Sequence, residues 1–473
     1  MTTITSEVNI EKILKIFEAQ KANQYAVADT NVKQRAEKLQ RLSDSVLRHR
    51  DAIKSALYKD YRRHPAEVDL VEIFPITTKI KHTKRNLSKW MAPKHVKTPL
   101  SLLGSSSWIH YEPKGVCLII APWNYPIQLA LGPLISAVAA GNTAIIKPSE
   151  ITPNSSAVLR HIIEDVFDEN EVAVIEGAVD TSTALLELPF NHIFFTGAPE
   201  IGKIVMAAAS RHLASVTLEL GGKSPTVVDE TADIELASAR ISWVKYSNNG
   251  QICVAPDYIL VHNSQMEAFT EAVKQRIKEY YGDDAAESES YMRIVNKRHF
   301  QRISSYLEES VKAGAKILYG GQTDPEKCYI GPTVITNVPP DAPLMQNEIF
   351  GPIMPVIPYS DIQEVIDIIR SKEKPLALYI YSNNKKNIDR IMNATRAGGT
   401  CINHSATHFY NPNLPFGGSN NSGIGKSNGK FGFIDFSNER AVYKQILPSP
   451  LDRLTPPYND FKMKLIDFTI KWF

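Results

Sequence analysis

Up to about residue 90, apolar side chains recur at helical spacing between charged stretches such as 31–50, and this spacing predicts a helical beginning. From residue 115 the pattern changes to short, continuous apolar runs that alternate with helical segments. Gly115–Ala121 reads as a buried strand, Ile127–Ala140 as a helix and Thr143–Lys147 as a second strand. A helix over Thr152–Phe167 and strands over Val172–Ile175 and His192–Thr196 continue the series. A second series starts at Ser224, with strands at Thr226–Val228 and Tyr258–Val261 and helices at Ile234–Tyr246 and Ser264–Glu279. Strands alternating with helices predict an α/β fold with parallel, doubly wound sheets. The segment 93–111, with Pro99, Gly104 and several serines, is too polar and broken for a core and reads as a projecting hairpin or arm.

The chain has 473 residues, beyond the length at which one core keeps growing, so two or three domains are expected. Lys and Arg number 53 against 51 acids, a net charge of +2 that gives no support to nucleic-acid binding. Cys117, Cys253, Cys328 and Cys401 form no C-x-x-C pair and are too scattered for a disulfide framework, which points to a reducing, intracellular compartment. Met1 to Lys12 lacks the basic start and apolar run of a secretory signal, so a cytoplasmic protein is expected. Residues 462–473 mix Leu465, Ile466, Phe468, Ile470, Trp472 and Phe473 with three lysines. Such a segment can lie on a membrane surface, but docking on its own subunit or a partner is the favoured reading, since it is too short to span a bilayer.

Candidate chemistry starts at Cys253, a lone thiol in the run 249–256 beside Gly250. A thiol attacks as thiolate, so the loop is expected to lower its pKa and a partner group to act with it. Glu219 lies in an apolar strand just before Gly221 and Gly222, where a carboxylate gains a raised pKa and can serve as general base. The alternative is a glutamate paired with Lys or Arg, or facing water at a sheet edge. Asn124, between Pro122 and Pro126 and straight after a strand, offers an amide donor to a developing oxyanion, although asparagine between prolines is more often a turn former.

Phosphate-binding patterns are incomplete. Gly197 to Gly202 followed by Lys203 nearly meets the P-loop, but Ile204 stands where a Ser or Thr would hold magnesium. A helix opening at Pro199 still offers its N-terminus to an anion. The G-x-G-x-x-G fingerprint is missing, and Gly423, Gly425 and Gly429 have the wrong spacing and read as loop glycines. Lys147 and Glu150, at the carboxyl end of a strand, can hold ribose hydroxyls instead. In Glu348–Pro352, Phe350 can lie against a flat ring and Glu348 can bind a ribose; loop packing explains both equally well.

Taken in order, Pro-Trp-Asn, Lys-Pro-Ser-Glu, Phe-Thr-Gly, Glu-Leu-Gly-Gly-Lys, Gly-Gln-x-Cys, Glu-x-Phe-Gly-Pro and Pro-Phe-Gly-Gly resemble the aldehyde dehydrogenase superfamily over roughly residues 15–445. The Cys253 loop, the short N-terminus and the segment 415–433 look like its class 3 branch. The resemblance implies a Rossmann-like dinucleotide-binding domain (1–92 and 112–219), a second α/β catalytic domain (220–404), a small β bridging or oligomerisation element (93–111 and 405–445) and a C-terminal tail (446–473). It implies Cys253 as nucleophile, Glu219 as general base, and Asn124 sharing the oxyanion with the Cys253 backbone N–H. NAD or NADP would be held by Lys147 and Glu150 at the adenine ribose, by Gly197 and Gly202 at the pyrophosphate, and by Glu348, Phe350 and Trp123 towards the nicotinamide. No metal is implied.

By the same resemblance Tyr125, Trp243 and the segment 405–410 would lie near the substrate, their aromatic character favouring medium or long aliphatic or aromatic aldehydes. A homodimer is implied. Cys117, Cys328 and Cys401 are expected to be small core fillers. The alternatives are a relative that passes the thioester to coenzyme A or phosphate, and a catalytically silent binding protein; Glu219 argues for water as acceptor, and the intact thiol, base and amide argue for catalysis.

Overall fold

The computed structural model describes residues 9–472. The helical beginning forms as the spacing predicts. In Ile10–Ala28, Ile13, Ile16, Phe17 and Gln20 fall on one buried stripe, and the Asn9 side chain caps the first turn through Lys12 N at 2.8 Å. Helices Val32–Arg48, Arg50–Tyr61 and Phe74–Met91 follow, the first opened by a reciprocal Asn31/Gln34 capping box.

A six-stranded sheet takes the order Val172–Val174, Thr143–Lys147, Val116–Ile120, His192–Gly197, Ser215–Leu220 and Gly423–Ile424. Its first five strands are mutually parallel. Val116–Ile120 and Thr143–Lys147 are buried throughout, as continuous apolar strands covered on both faces must be. The chain winds outwards from Val116–Ile120 to Val172–Val174, then returns to the other side of Val116–Ile120 with His192–Gly197. That reversal makes a switch-point crevice at the carboxyl ends of these two strands. The sixth strand corrects the reading of residues 423–425 as loop: Gly423 pairs antiparallel with Glu219 and Ile424 with Leu218. Backbone hydrogen bonding needs no apolar run, so the segment's composition hid it.

A seven-stranded sheet runs Lys316–Tyr319, Thr333–Thr336, Ile353–Tyr359, Tyr258–His262, Pro225–Val228, Ala377–Tyr381 and Gly399–Ile402, parallel except at its first pair. The broken segment after residue 92 contributes Lys94–Val96 and Ser105–Pro113 to a three-stranded antiparallel sheet, completed by Ser437–Gln445. The C-terminal helix Asp460–Trp472 buries none of its residues, and Phe461 and Ile470 are 72% and 77% exposed. Docking onto its own subunit is thereby overturned for this segment. Its apolar side chains divide into two stripes on opposite sides of the helix, Phe461/Leu465/Phe468/Trp472 and Met463/Ile466/Ile470. Among the described residues, no helix is long and apolar enough to cross a membrane.

One buried cation joins the helical beginning to both sheets. Arg63, fully buried, pairs through Nη1 with Glu72 Oε1 at 2.8 Å, and its Nη2 donates to the Asn124 carbonyl at 2.6 Å and to Asn248 Oδ1. Glu72 Oε2 accepts from Gln128 N at 2.6 Å, and Tyr61 Oη donates to the Asn124 carbonyl at 3.0 Å. Burial alone would pull the guanidinium pKa down; Tyr61, Glu72 and Glu67 around it outweigh that and hold it up. Replacing Arg63 by Met leaves Glu72 unpaired inside the protein, which should cost about 3–5 kcal/mol. Denaturant titration should show a large fall in midpoint for Arg63→Met and partial recovery in Arg63→Met/Glu72→Leu; equal loss in both would mean that the charge balance is not what matters.

Candidate active site

Where the two large sheets meet, a cavity of about 210 Å³ is walled by Cys253, Glu219, Thr196, Lys79 and mainly apolar side chains including Phe409 and Phe416. Glu219 is brought there by the strand Ser215–Leu220, where it pairs with Thr196 on one side and Gly423 on the other. Its Oε1 accepts from Ser427 Oγ at 2.8 Å; its Oε2 is buried with no partner among the described residues. Burial pushes this carboxyl up to about 8, against the opposing pull of Ser427, Lys426 and Lys79.

The Cys253 loop turns through two left-handed residues, Asn248 (φ 49°) and Asn249 (φ 52°), a conformation asparagine tolerates better than most. Gln251 staples the loop: its Nε2 donates to the Asn248 carbonyl at 3.0 Å and its Oε1 accepts from Val295 N at 3.0 Å. Tyr379 Oη donates to the Val254 carbonyl at 2.5 Å. The expectation of a lowered thiol pKa is reversed. Burial pushes the thiol up to about 12, Glu348 and Glu219 add to the rise, and the N–H groups of Cys253 and Val254 offset only part of it.

Asn124 is buried beside this loop, its Nδ2 donating to the Gln251 carbonyl at 3.0 Å. An amide nitrogen carries two hydrogens, so a second N–H is left for a substrate oxygen. Glu348 lies over Gly221, where any Cβ would collide with its carboxylate, and burial pushes Glu348 up to about 8. Asp257 links the loops: its Oδ1 pairs with Lys223, and its Oδ2 accepts from Ile349 N at 2.9 Å.

The crevice at the strand ends fits a dinucleotide. Lys147 is buried at the end of its strand and pairs with the part-exposed Glu150 at 2.7 Å, a cation and an acceptor side by side. Gly197 ends its strand, and the helix Pro199–Ser210 that follows has no side-chain cap; Pro199 has no N–H and Ile201 N bonds the Ala198 carbonyl at 3.1 Å, so the Glu200 N–H is the one left for an anion in this turn. Gly202 lets this helix approach Leu220, whose Cδ2 would stand 2.7 Å from an added Cβ. The Thr196 hydroxyl, on the cavity wall, is buried without a partner among the described residues. Phe350 and Trp123 meet edge to face at 5.5 Å between ring centroids, with His299 against Trp123.

Two expected substrate residues are placed elsewhere. Tyr125 turns to the Arg63 guanidinium, 4.7 Å from its ring centroid, and Trp243 is 41% exposed on the helix Ile234–Tyr246; neither lines the cavity. From the segment 405–410, Phe409 and Tyr410 reach the wall, whereas Ser405 is buried against Tyr381 Oη at 2.8 Å. Sequence reasoning passed over Arg63, Glu72, Asn248, Ser427 and Lys79. Arg63 stands in the charged connection between two helices and Glu72 in the helical turn after it, both resembling a solvated surface, and only partners far along the chain reveal them.

The profile of the aldehyde dehydrogenase family matches residues 3–442. The 4,4'-diaponeurosporen-aldehyde dehydrogenase of Staphylococcus aureus is 44% identical over 429 residues, 90% of this chain and 93% of that protein. Aldehyde dehydrogenase family 3 member A2 of Pongo abelii is 42% identical over 426 residues, 90% of this chain and 87% of that protein. The substrate-bound state of Staphylococcus aureus AldH superposes with a TM-score of 0.92 at 42% identity, covering 97% of this chain and 99% of that one.

Removing a neighbouring negative charge should favour the thiolate. In the cofactor-free protein, Glu348→Gln is expected to speed iodoacetamide alkylation of Cys253 by ~3- to 10-fold at mildly alkaline pH. Mass spectrometry of the Cys253 peptide over time checks this; an unchanged rate would show that the acid does not act on the thiol.

Proposed function

This chain belongs to the aldehyde dehydrogenase family, in which aldehydes are oxidised with NAD(P), and we propose that its substrate is an apolar aldehyde, medium or long aliphatic or aromatic, taken to the carboxylic acid on Cys253. The observation that carries this reading is one cavity with mainly apolar walls lined by both Cys253 and Glu219, whose Oε2 is buried without a hydrogen-bond partner among the described residues.

Cys253 gives its proton to solvent and its Sγ adds to the aldehyde carbon as the thiolate, which leaves the Glu219 carboxylate on the cavity wall free for the later step. The oxyanion is held by the Cys253 N–H and the second N–H of Asn124. When bound, the nicotinamide supplies the acceptor for the hydride that leaves this carbon. Glu219 Oε2 then takes the proton of a water that attacks the Cys253 thioester, the acid departs, and the thiol is restored. A buried carboxylate oxygen without a hydrogen-bond partner, on the wall of the same cavity as the thiol, favours water over coenzyme A or phosphate as acceptor.

Lys147 and Glu150 would hold the adenine ribose, Gly197 and Gly202 with the first turn of Pro199–Ser210 the pyrophosphate, and Glu348, Phe350 and Trp123 the nicotinamide end. Lys147 attracts a 2′-phosphate and Glu150 repels it, which supports acceptance of either NAD or NADP. The division into 1–92 with 112–219, 220–404, 93–111 with 405–445, and 446–473, the homodimer and the cytoplasmic location belong to the same proposal. The sheet formed by Lys94–Val96, Ser105–Pro113 and Ser437–Gln445, which spans the two bridging segments, supports the division.

Cys253→Ala should abolish aldehyde-dependent cofactor reduction. Glu219→Gln should give one rapid burst of reduced cofactor followed by a slow steady state, because the thioester forms and then waits. Asn124→Ala should lower kcat by ~10²–10³. For the wild type, kcat should rise with pH through about 8, since the base acts ionised and burial holds it protonated below that point. Stopped-flow absorbance of the reduced cofactor measures all four; substantial turnover by Cys253→Ala would overturn the assignment.

A further inference from the structure

Among the described residues, Lys79 is the one cation that walls the cavity. It stands on the helix Phe74–Met91, one turn beyond Pro75 and beside Thr78, both of which line the same wall. Ile76, Ile80, Thr83 and Leu87 of that helix face the core, so the stripe with Lys79 is turned to the cavity. The side chain crosses over Gly132, where an added Cβ would lie 3.7 Å from Lys79 Nζ and equally far from Gln128 Nε2. It makes no hydrogen bond or ion pair among the described residues: Glu219 gives its Oε1 to Ser427 and acts on Lys79 only at longer range.

Three cations around the site are answered by a carboxylate, Lys147 by Glu150, Lys223 by Asp257 and Arg63 by Glu72, whereas Lys245 is buried without an ion pair among the described residues but does not line the cavity. Burial holds the Lys79 ammonium down to about 8, which still leaves it mostly protonated at neutral pH. Lys79 is part-buried, and a charge held between apolar walls without an ion-pair partner among the described residues is costly, so a ligand that brings a counter-charge recovers part of that cost. Apolar walls between a nucleophile and an ammonium fit a hydrocarbon chain that is polar at both ends.

We infer that Lys79 reads the far end of the substrate: the cavity takes an aldehyde whose methylene chain ends in a carboxylate, with the carbonyl at Cys253 and the carboxylate on Lys79 Nζ. This rests on Cys253 as the nucleophile and narrows the apolar aldehyde to an ω-oxo acid, a half-aldehyde of an α,ω-dicarboxylic acid. Lys79 acts here in specificity, while the reacting atoms stay with Cys253, Asn124 and Glu219.

The test compares kcat/KM for octanal with that for the half-aldehydes of adipic, suberic and sebacic acids, in the wild type, Lys79→Met and Lys79→Arg. The wild type should prefer one half-aldehyde over octanal. In Lys79→Met the ratio of kcat/KM for that half-aldehyde to octanal should fall ~10- to 100-fold, as expected for the loss of a charge-assisted hydrogen bond. In Lys79→Arg much of the ratio should return, with the optimum moved to a shorter chain. An unaltered ratio in Lys79→Met overturns the inference, as does a pH limb of kcat that shifts alike for both substrate types, because Lys79 would then act through Glu219. If Lys79→Met does not fold, the wild type decides alone: no half-aldehyde preferred over octanal overturns the inference. Cys253-dependent octanal oxidation with no such preference defeats only this inference, whereas turnover by Cys253→Ala defeats the reading beneath it.

Discussion

The site depends on the buried guanidinium of Arg63. The Asn124 loop leaves the six-stranded sheet, the Asn248–Cys253 loop lies beyond the helix Ile234–Tyr246, and Glu72 belongs to the helical beginning; no two of these segments are neighbours in sequence. One side chain gathers the Asn124 carbonyl, the Asn248 amide oxygen and the Glu72 carboxylate. Asn248 repeats the tie, its Nδ2 reaching the carbonyls of Asn124 and Gln251 at 3.1 and 3.0 Å. A planar, permanently charged donor with several N–H groups in fixed directions suits this task, and a lysine would not span it. Although the Arg63 Nε is buried without a partner among the described residues, the remaining bonds fix the Asn124 amide relative to the thiol, the precision that an oxyanion site needs.

Around that frame the chemistry is set by burial. Two acids, Glu219 and Glu348, stand near one thiol, and desolvation raises all three. Each neutral form protects the others: an ionised acid makes the thiolate harder to form, and a thiolate makes the acids harder to ionise. Proton movement among these groups is coupled, and binding of a cofactor or an aldehyde that changes their hydration shifts them together.

Much of the architecture was legible because buried parallel strands need continuous apolar runs, and Val116–Ile120, Thr143–Lys147 and His192–Gly197 have them. Short motifs marked Cys253 and Glu219, which the fold brings to one cavity, and Lys147 with Glu150, which pair. What stayed hidden depends on partners far along the chain. Gly423–Ile424 is a strand only because Leu218 and Glu219 offer it their backbone, and Arg63 reads as a surface cation until Glu72, Asn124 and Asn248 surround it. Tyr125 is aromatic and stands beside Asn124, yet the nearest cation claims its ring and turns it from the cavity. The thiol pKa was misjudged because a loop's N–H groups are visible in a motif, whereas the desolvation around it is not.

The edge pairing of Gly423–Ile424 has a consequence for how this molecule comes into being. The strand that carries Glu219 receives its last backbone partner, and Glu219 its hydroxyl donor Ser427, from segments made some two hundred residues later, and Ser105–Pro113 waits for Ser437–Gln445 in the same way. A nascent chain that has already made the thiol, the amide and the crevice for the dinucleotide therefore still exposes two unpaired strand edges and an unanchored acid. Closing loops of that length is slow, so completion of the site waits on these late-made segments. Reactive chemistry is thereby withheld until synthesis of almost the whole chain is complete.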